Sequence, residues 1–136
     1  MTILQIRLTR PTDYPQLCHW WQFWRFPAPT MDLLDDLRFG IMVHNGTENI
    51  CCGFIYFTNA KAYAMMEYIV SSHEVRDKTL RREALEYLII SLKELARSKG
   101  VKALYSSLKN DSLIKHYHNC GFITGSTNTT EMICKL

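Results

Sequence analysis

No stretch of this chain stays apolar for the roughly 18 residues that crossing a bilayer takes, so no membrane partner is expected. Paired cysteine motifs are also missing. There are 5 Cys, an odd number, irregularly spaced and without a Cys-x-x-Cys pair. That argues against a disulfide framework and for reduced thiols in a cytosol-like, cytoplasmic compartment. Cys51 and Cys52 are neighbours on an expected strand, so their side chains point to opposite faces and cannot share a metal; no metal site is expected. The segment from Met1 to Arg7 alternates like a strand and lacks a signal peptide's apolar core. The net charge of +3 is too mild to argue for nucleic acid. Repeats, low-complexity segments and linkers are absent. What remains is 136 residues, 47% hydrophobic and 21% charged, which fits one domain (1–136) with a real core.

The chain is organised around Ala62 to Leu95. Ala62 to Val70 reads as a strand, Ser71 to Val75 as a polar loop, and Arg76-Asp-Lys-Thr-Leu-Arg-Arg82 as a basic corner. A helix follows, with Leu85, Leu88, Ile89, Leu92, Leu95 and Ala96 three and four apart on one stripe. Gly100 stands where a left-handed residue would end it. The first amides of a helix lack partners and its dipole favours an anion. Arg76, Lys78, Arg81 and Arg82 add mobile positive charge there, so this corner is expected to grip the phosphates of a nucleotide-like cofactor. The competing reading is a solvated helix start whose arginines pair with Glu83 and Glu86.

Elsewhere, Ile3 to Leu8 alternates as a half-buried strand, and Thr12 or Asp13 can cap the helix that follows. That helix places Leu17, Trp20, Trp21 and Trp24 on one face, either as core or as the lining of a substrate cleft together with Phe26. Phe26-Pro-Ala-Pro29 breaks the helix. Thr30 to Leu37 predicts a second short helix. Phe39 to Val43 and Ile50 to Thr58 predict a hairpin, with Asn45-Gly46 suited to a type I′ turn. Val101 to Ser107 is a further strand, Asp111 to Cys120 a helix closed by Gly121, and Phe122 to Thr124 and Thr130 to Leu136 the last two strands. This mixture predicts an α/β (α+β) sheet with helices on both faces.

Two local motifs, with this element order, resemble the GNAT superfamily of acyl-CoA-dependent N-acetyltransferases over essentially the whole chain. In the first, Ile69-Val-Ser-Ser-His-Glu-Val-Arg76 leads into Asp-Lys-Thr-Leu-Arg81. Arg76 matches the opening of the family's R/Q-x-x-G-x-G/A loop, but Thr79 and Arg81 replace its two small residues, whose bare backbone admits the CoA pyrophosphate. The second, Asn110-Asp-Ser-Leu-Ile-Lys-His-Tyr117-His-Asn-Cys-Gly121-Phe122, is similar to the family's N-x-x-A/L-x-x-x-Y-x-x-x-G-F signature at every fixed position.

The resemblance implies a mixed, mostly antiparallel sheet of six to seven strands, flanked by helices and splayed in the middle for acyl-CoA. It implies acetyl-CoA, or another acyl-CoA, as co-substrate and an amine-bearing small molecule or protein as acceptor. Ile69, Val70, Ser71, Arg76, Asp77, Lys78, Thr79, Leu80, Arg81, Arg82, Asn110 and Tyr117 would hold the cofactor. Tyr117 would protonate the leaving thiolate. Glu67, the one acid in an otherwise apolar strand, would be the general base, with His73 and His116 in reserve. A homodimer is one assembly the resemblance suggests. Two other readings stand beside it: a GNAT-like binding protein that has lost CoA, and a nucleic-acid module using the Arg76–Arg82 cluster.

Overall fold

The structure is a computed structural model and describes residues 3–136. Five strands form one sheet: β1 (Gln5–Leu8), β2 (Gly40–His44), β3 (Asn49–Phe57), β4 (Tyr63–Ser71) and β5 (Ala103–Tyr105). They lie in chain order across the sheet. The first three pairings are antiparallel, and β4 and β5 run parallel. Parallel neighbours need a long crossover, supplied here by α2 (Lys78–Ser98). Helix α1 (Tyr14–Phe23) precedes β2, and α3 (Asp111–Asn119) follows β5.

Both faces of the sheet are covered, and Cys51 and Cys52 do part company. Cys51 packs with Ile41, Val43, Met66, Leu88, Ile89 and Leu92 under α2. Cys52 packs with Leu17, Trp20, Trp21, Met42 and Phe54 under α1. Helix α2 begins earlier than its apolar stripe announces, so the basic corner forms its first turn. Gly100 ends that region at φ +89°, in the left-handed conformation the sequence predicts.

Three expectations need correction. The sheet has five strands among the described residues, not six or seven. Residues 123–136 lie exposed and unpaired, and Ile123, Met132 and Ile133 are 83–90% exposed. Their alternation suits a strand, but no neighbouring strand continues past the short β5. Second, residues 30–37 form no α-helix. The backbone passes through left-handed φ values at Asp35, Asp36 and Leu37, which puts both Leu34 and Leu37 into the core. Third, the β2–β3 turn is not type I′. Gly46 has positive φ and Asn45 does not; instead Asn45 Oδ1 accepts the amides of Thr47 and Glu48, an Asx-type turn.

Gly40 marks the tightest point under β2. A Cβ there would stand 2.5 Å from Thr9 Oγ1 and 2.6 Å from the buried Phe54 ring. Thr9 Oγ1 is itself held by the Leu37 carbonyl. Gly40→Ala is expected to lower the unfolding free energy by about 1–3 kcal/mol, as overpacking does. Urea unfolding with an unchanged midpoint would refute this packing.

Candidate functional site

β4 and β5 pair at Tyr63–Ala103, Ala64–Leu104 and Met65–Tyr105, and there the pairing ends. β4 continues to Ser71 with no strand beside it on that side. Its course is bent where the strands part. Phe54 pairs with Glu67 and Cys52 with Val70, so Gly53 faces both Tyr68 and Ile69. Tyr68 occupies this bulge at φ +58°, a conformation a bulky residue rarely adopts and one that concentrates at functional sites.

Tyr117 and Glu67 meet at this opening. Tyr117 is 3% exposed, projecting from α3 beneath the sheet. Its hydroxyl lies 3.0 Å from Ser106 Oγ, which in turn lies 2.5 Å from the Met66 carbonyl oxygen. A carbonyl only accepts, so the single Ser106 proton goes to Met66 and the Tyr117 hydroxyl donates to Ser106. Burial pushes the phenol well above its ordinary pKa, so it stays protonated. One residue along, Ser107 N–H donates to Glu67 Oε1 at 2.9 Å. Burial raises the Glu67 pKa, against the Ser107 hydrogen bond, and the charge of Glu131 raises it further. The sequence singled out Tyr117 and Glu67 but not Ser106 or Ser107. Nothing local marks these serines, because their role comes from where β5 stops.

A cleft of about 320 Å³ opens beside Glu67, lined by Leu33, Tyr56, Met65, Tyr68, Ser107 and Glu131 as well. It holds two carboxylates and no cation. Tyr68 meets Tyr56 and Phe26 edge to face, with ring centroids 6.1 and 6.3 Å apart. Trp20 and Trp21, at 1% and 2% exposure, belong to the core under α1 and line neither this cleft nor the one described next. Trp24, just past α1, reaches the end of β4, where its indole N–H donates to the Ser71 carbonyl at 2.8 Å.

The second cleft, about 190 Å³, lies between the starts of α2 and α3 and is lined by Ser71, Lys78, Arg81, Arg82, Leu85, Ser112 and His116. Among the described residues, no carboxylate lies within 4.0 Å of Arg76, Lys78, Arg81 or Arg82, so they do not pair with Glu83 or Glu86. Arg81 instead lies over the Trp24 ring, 5.6 Å from its centroid. Glu86 binds His116 Nδ1 at 2.8 Å and orients it at the cleft wall. The backbone is less available. Asp77 Oδ1 accepts the Thr79 and Leu80 amides at 3.0 and 3.2 Å, so a side chain already caps the helix start. Leu80 and Ile69 pack against the core under α2, and Val70 against that under α1. Asn110 caps α3 through the Leu113 amide at 3.0 Å. His73 lines neither cleft.

No protein-family model matches the chain, and no curated protein does. Solved structures do. N-acetylglutamate synthase from Neisseria gonorrhoeae, complexed with coenzyme A and N-acetyl-glutamate, is similar with a TM-score of 0.74 at 14% identity over 93% of this chain. The chain spans only 30% of that synthase's length. A Mycobacterium tuberculosis protein in complex with CoA and NLQ gives 0.70 at 12% identity, covering 92% of this chain and 76% of that one. An acetyltransferase from Trypanosoma brucei gives 0.63 at 16%, covering 98% and 100%. This sheet, opened between its fourth and fifth strands and crossed over by α2, has the fold of the GNAT acetyltransferase superfamily.

Proposed function

We propose that this protein is an acyl-CoA-dependent N-acyltransferase that moves an acetyl group from acetyl-CoA to a primary amine carrying positive charge. One observation carries the reading: where β5 leaves β4, a protonated phenol and a half-buried carboxylate with a raised pKa stand on the two sides of one opening. A thioester supplies an acyl carbon activated enough to be attacked without a covalent enzyme intermediate.

The residues divide the work. Lys78, Arg81 and Arg82 hold the CoA phosphates by side-chain charge, since Asp77 occupies the amides that would otherwise do so. The uncovered side of β4 from Glu67 to Ser71 offers backbone groups to the pantetheine arm, as an added strand would. The acceptor arrives as an ammonium in the cleft of two carboxylates and tyrosine rings, where charge and aromatic faces both favour a cation. It gives up one proton to solvent to become the attacking amine, and Glu67 takes a second as the amide forms. The new C–N bond forms as the C–S bond breaks, and Tyr117 gives its proton to the departing sulfur. The proton gained by Glu67 balances the one lost by Tyr117, and both groups re-equilibrate with solvent after release.

The test is thiol release from acetyl-CoA across a panel of amines, read against pH. The general base must be ionised, and its pKa is raised, so kcat/KM is expected to fall on the acid side at a higher pH than an ordinary glutamate sets. Glu67→Gln should remove that limb along with most of the rate. An unaltered acid limb in that variant excludes Glu67 as base. Asp77 favours a second reading, a CoA-free binding protein of the same fold, because its carboxylate sits where a phosphate would. Absence of any thiol release, with no bound CoA, supports that reading.

A further inference from the structure

Three metal-ligating side chains that line neither cleft converge from two parts of the chain. His19 comes from α1, and His73 and Glu74 come from the loop after β4. Their ligand atoms all lie within 4.8 Å of one another. We propose that His19, His73 and Glu74 form a site for one divalent transition-metal ion of the zinc, cobalt or nickel kind. This inference is independent of the acyltransferase reading.

The arrangement has one fixed ligand and two adjustable ones. The His73 ring lies flat against Phe23, with centroids 3.9 Å apart and planes 7° from parallel. His19 approaches it at 5.3 Å between centroids. The His73 side chain is only 16% exposed, whereas that of Glu74 is 71% exposed, and His19 is exposed as well. Four-coordinate zinc, with bonds near 2.1 Å, sets neighbouring ligand atoms about 3.4 Å apart. His73 Nε2 and Glu74 Oε1 stand at 4.0 Å, so small rotations of the two exposed side chains close the site. His73 Nδ1 is also buried without a hydrogen-bond partner. With no acceptor fixing the tautomer, the ring's lone pair is free to sit on Nε2, the nitrogen that faces Glu74.

Two imidazoles and one carboxylate suit zinc, nickel or cobalt over magnesium or calcium, which prefer all-oxygen shells. The exposed side leaves room for water in the fourth position. A bound ion would tie α1 to the start of the β4–α2 loop and so fix the end of α1, where Trp24 holds the Ser71 carbonyl. The site would then stiffen the corner at which β4 ends.

The test uses tag-free full-length protein stripped of metal. Calorimetry with zinc is expected to give one ion per chain, cobalt to give the visible bands of a tetrahedral nitrogen and oxygen site, and zinc to raise Tm. His19→Ala and Glu74→Gln, both at exposed positions, should each weaken zinc binding roughly tenfold or more with apo Tm unchanged, while His118→Ala binds as the parent does. No zinc binding by the parent overturns the proposal, as does full affinity in His19→Ala. A thiolate charge-transfer band with cobalt also overturns it, by placing the ion on Cys18 or Cys134 instead.

Discussion

Tyr117→Phe is expected to leave CoA binding unchanged and to lower kcat roughly 10²- to 10⁴-fold, the range that a positioned general acid supplies. The substitution removes one oxygen and one proton. The ring remains, and with it the packing on Phe122, whose centroid lies 4.8 Å away. Ser106 loses the donor at its oxygen but keeps its bond to the Met66 carbonyl, so the opening between β4 and β5 keeps its shape. A buried hydroxyl that served packing alone would show a different pattern, namely a lower Tm with kcat preserved. Because the sulfur departs more readily when it is protonated as the C–S bond breaks, the deficit should narrow with acyl donors whose thiols are more acidic and leave readily as thiolates. Measuring kcat and CoA affinity on the same preparation separates the two roles.

The second expectation concerns the phosphate corner and has opposite signs at neighbouring residues. Arg81→Ala with Arg82→Ala should weaken CoA binding about 100-fold, at roughly 1.5 kcal/mol for each lost hydrogen bond to a charged group. It should also flatten the dependence of affinity on salt, because these exposed charges act through screened electrostatics. Asp77→Ala should do the reverse. It deprives α2 of its cap, which costs about 1 kcal/mol of stability. At the same time it frees the Thr79 and Leu80 amides and removes a negative charge from the corner, so CoA affinity should rise about tenfold. A less stable protein that binds more tightly is a combination that general damage does not produce. If Asp77→Ala lost both stability and affinity, the carboxylate would belong to the CoA site instead of competing with it.

Much of this arrangement was legible in the residues, and what was not has a common cause. The motif from Asn110 to Phe122 specified its own geometry. Asn110 caps α3, Tyr117 lies seven residues on and faces inward, and Gly121 turns the chain at φ +94°. All of this is local and follows from helical spacing. The opposite facing of Cys51 and Cys52 is equally local. Trp20 and Trp21 show the limit of such reasoning. Helical spacing puts them on one face but does not say whether that face meets a core or a cleft, and here it meets the core. The last two expected strands failed for a related reason. An alternating pattern at Thr130–Leu136 states which residues could share a face, and pairing needs a neighbour that β5 is too short to provide. Ser106 and Ser107 were invisible because their partners, Tyr117, Met66 and Glu67, are set by the register of β5 on β4. Asp77 was legible as part of the basic corner, but its role as a cap depends on α2 starting at Lys78, ahead of the apolar stripe.

The central claim is that acyl-CoA seats itself between β4 and β5 with its phosphates held by side-chain charge in place of bare backbone. Calorimetric titration of the full chain with acetyl-CoA, at two salt concentrations, tests it most directly. The account predicts one site per chain, with affinity falling as salt rises. No heat at a large excess of acetyl-CoA, or binding indifferent to salt, would contradict it.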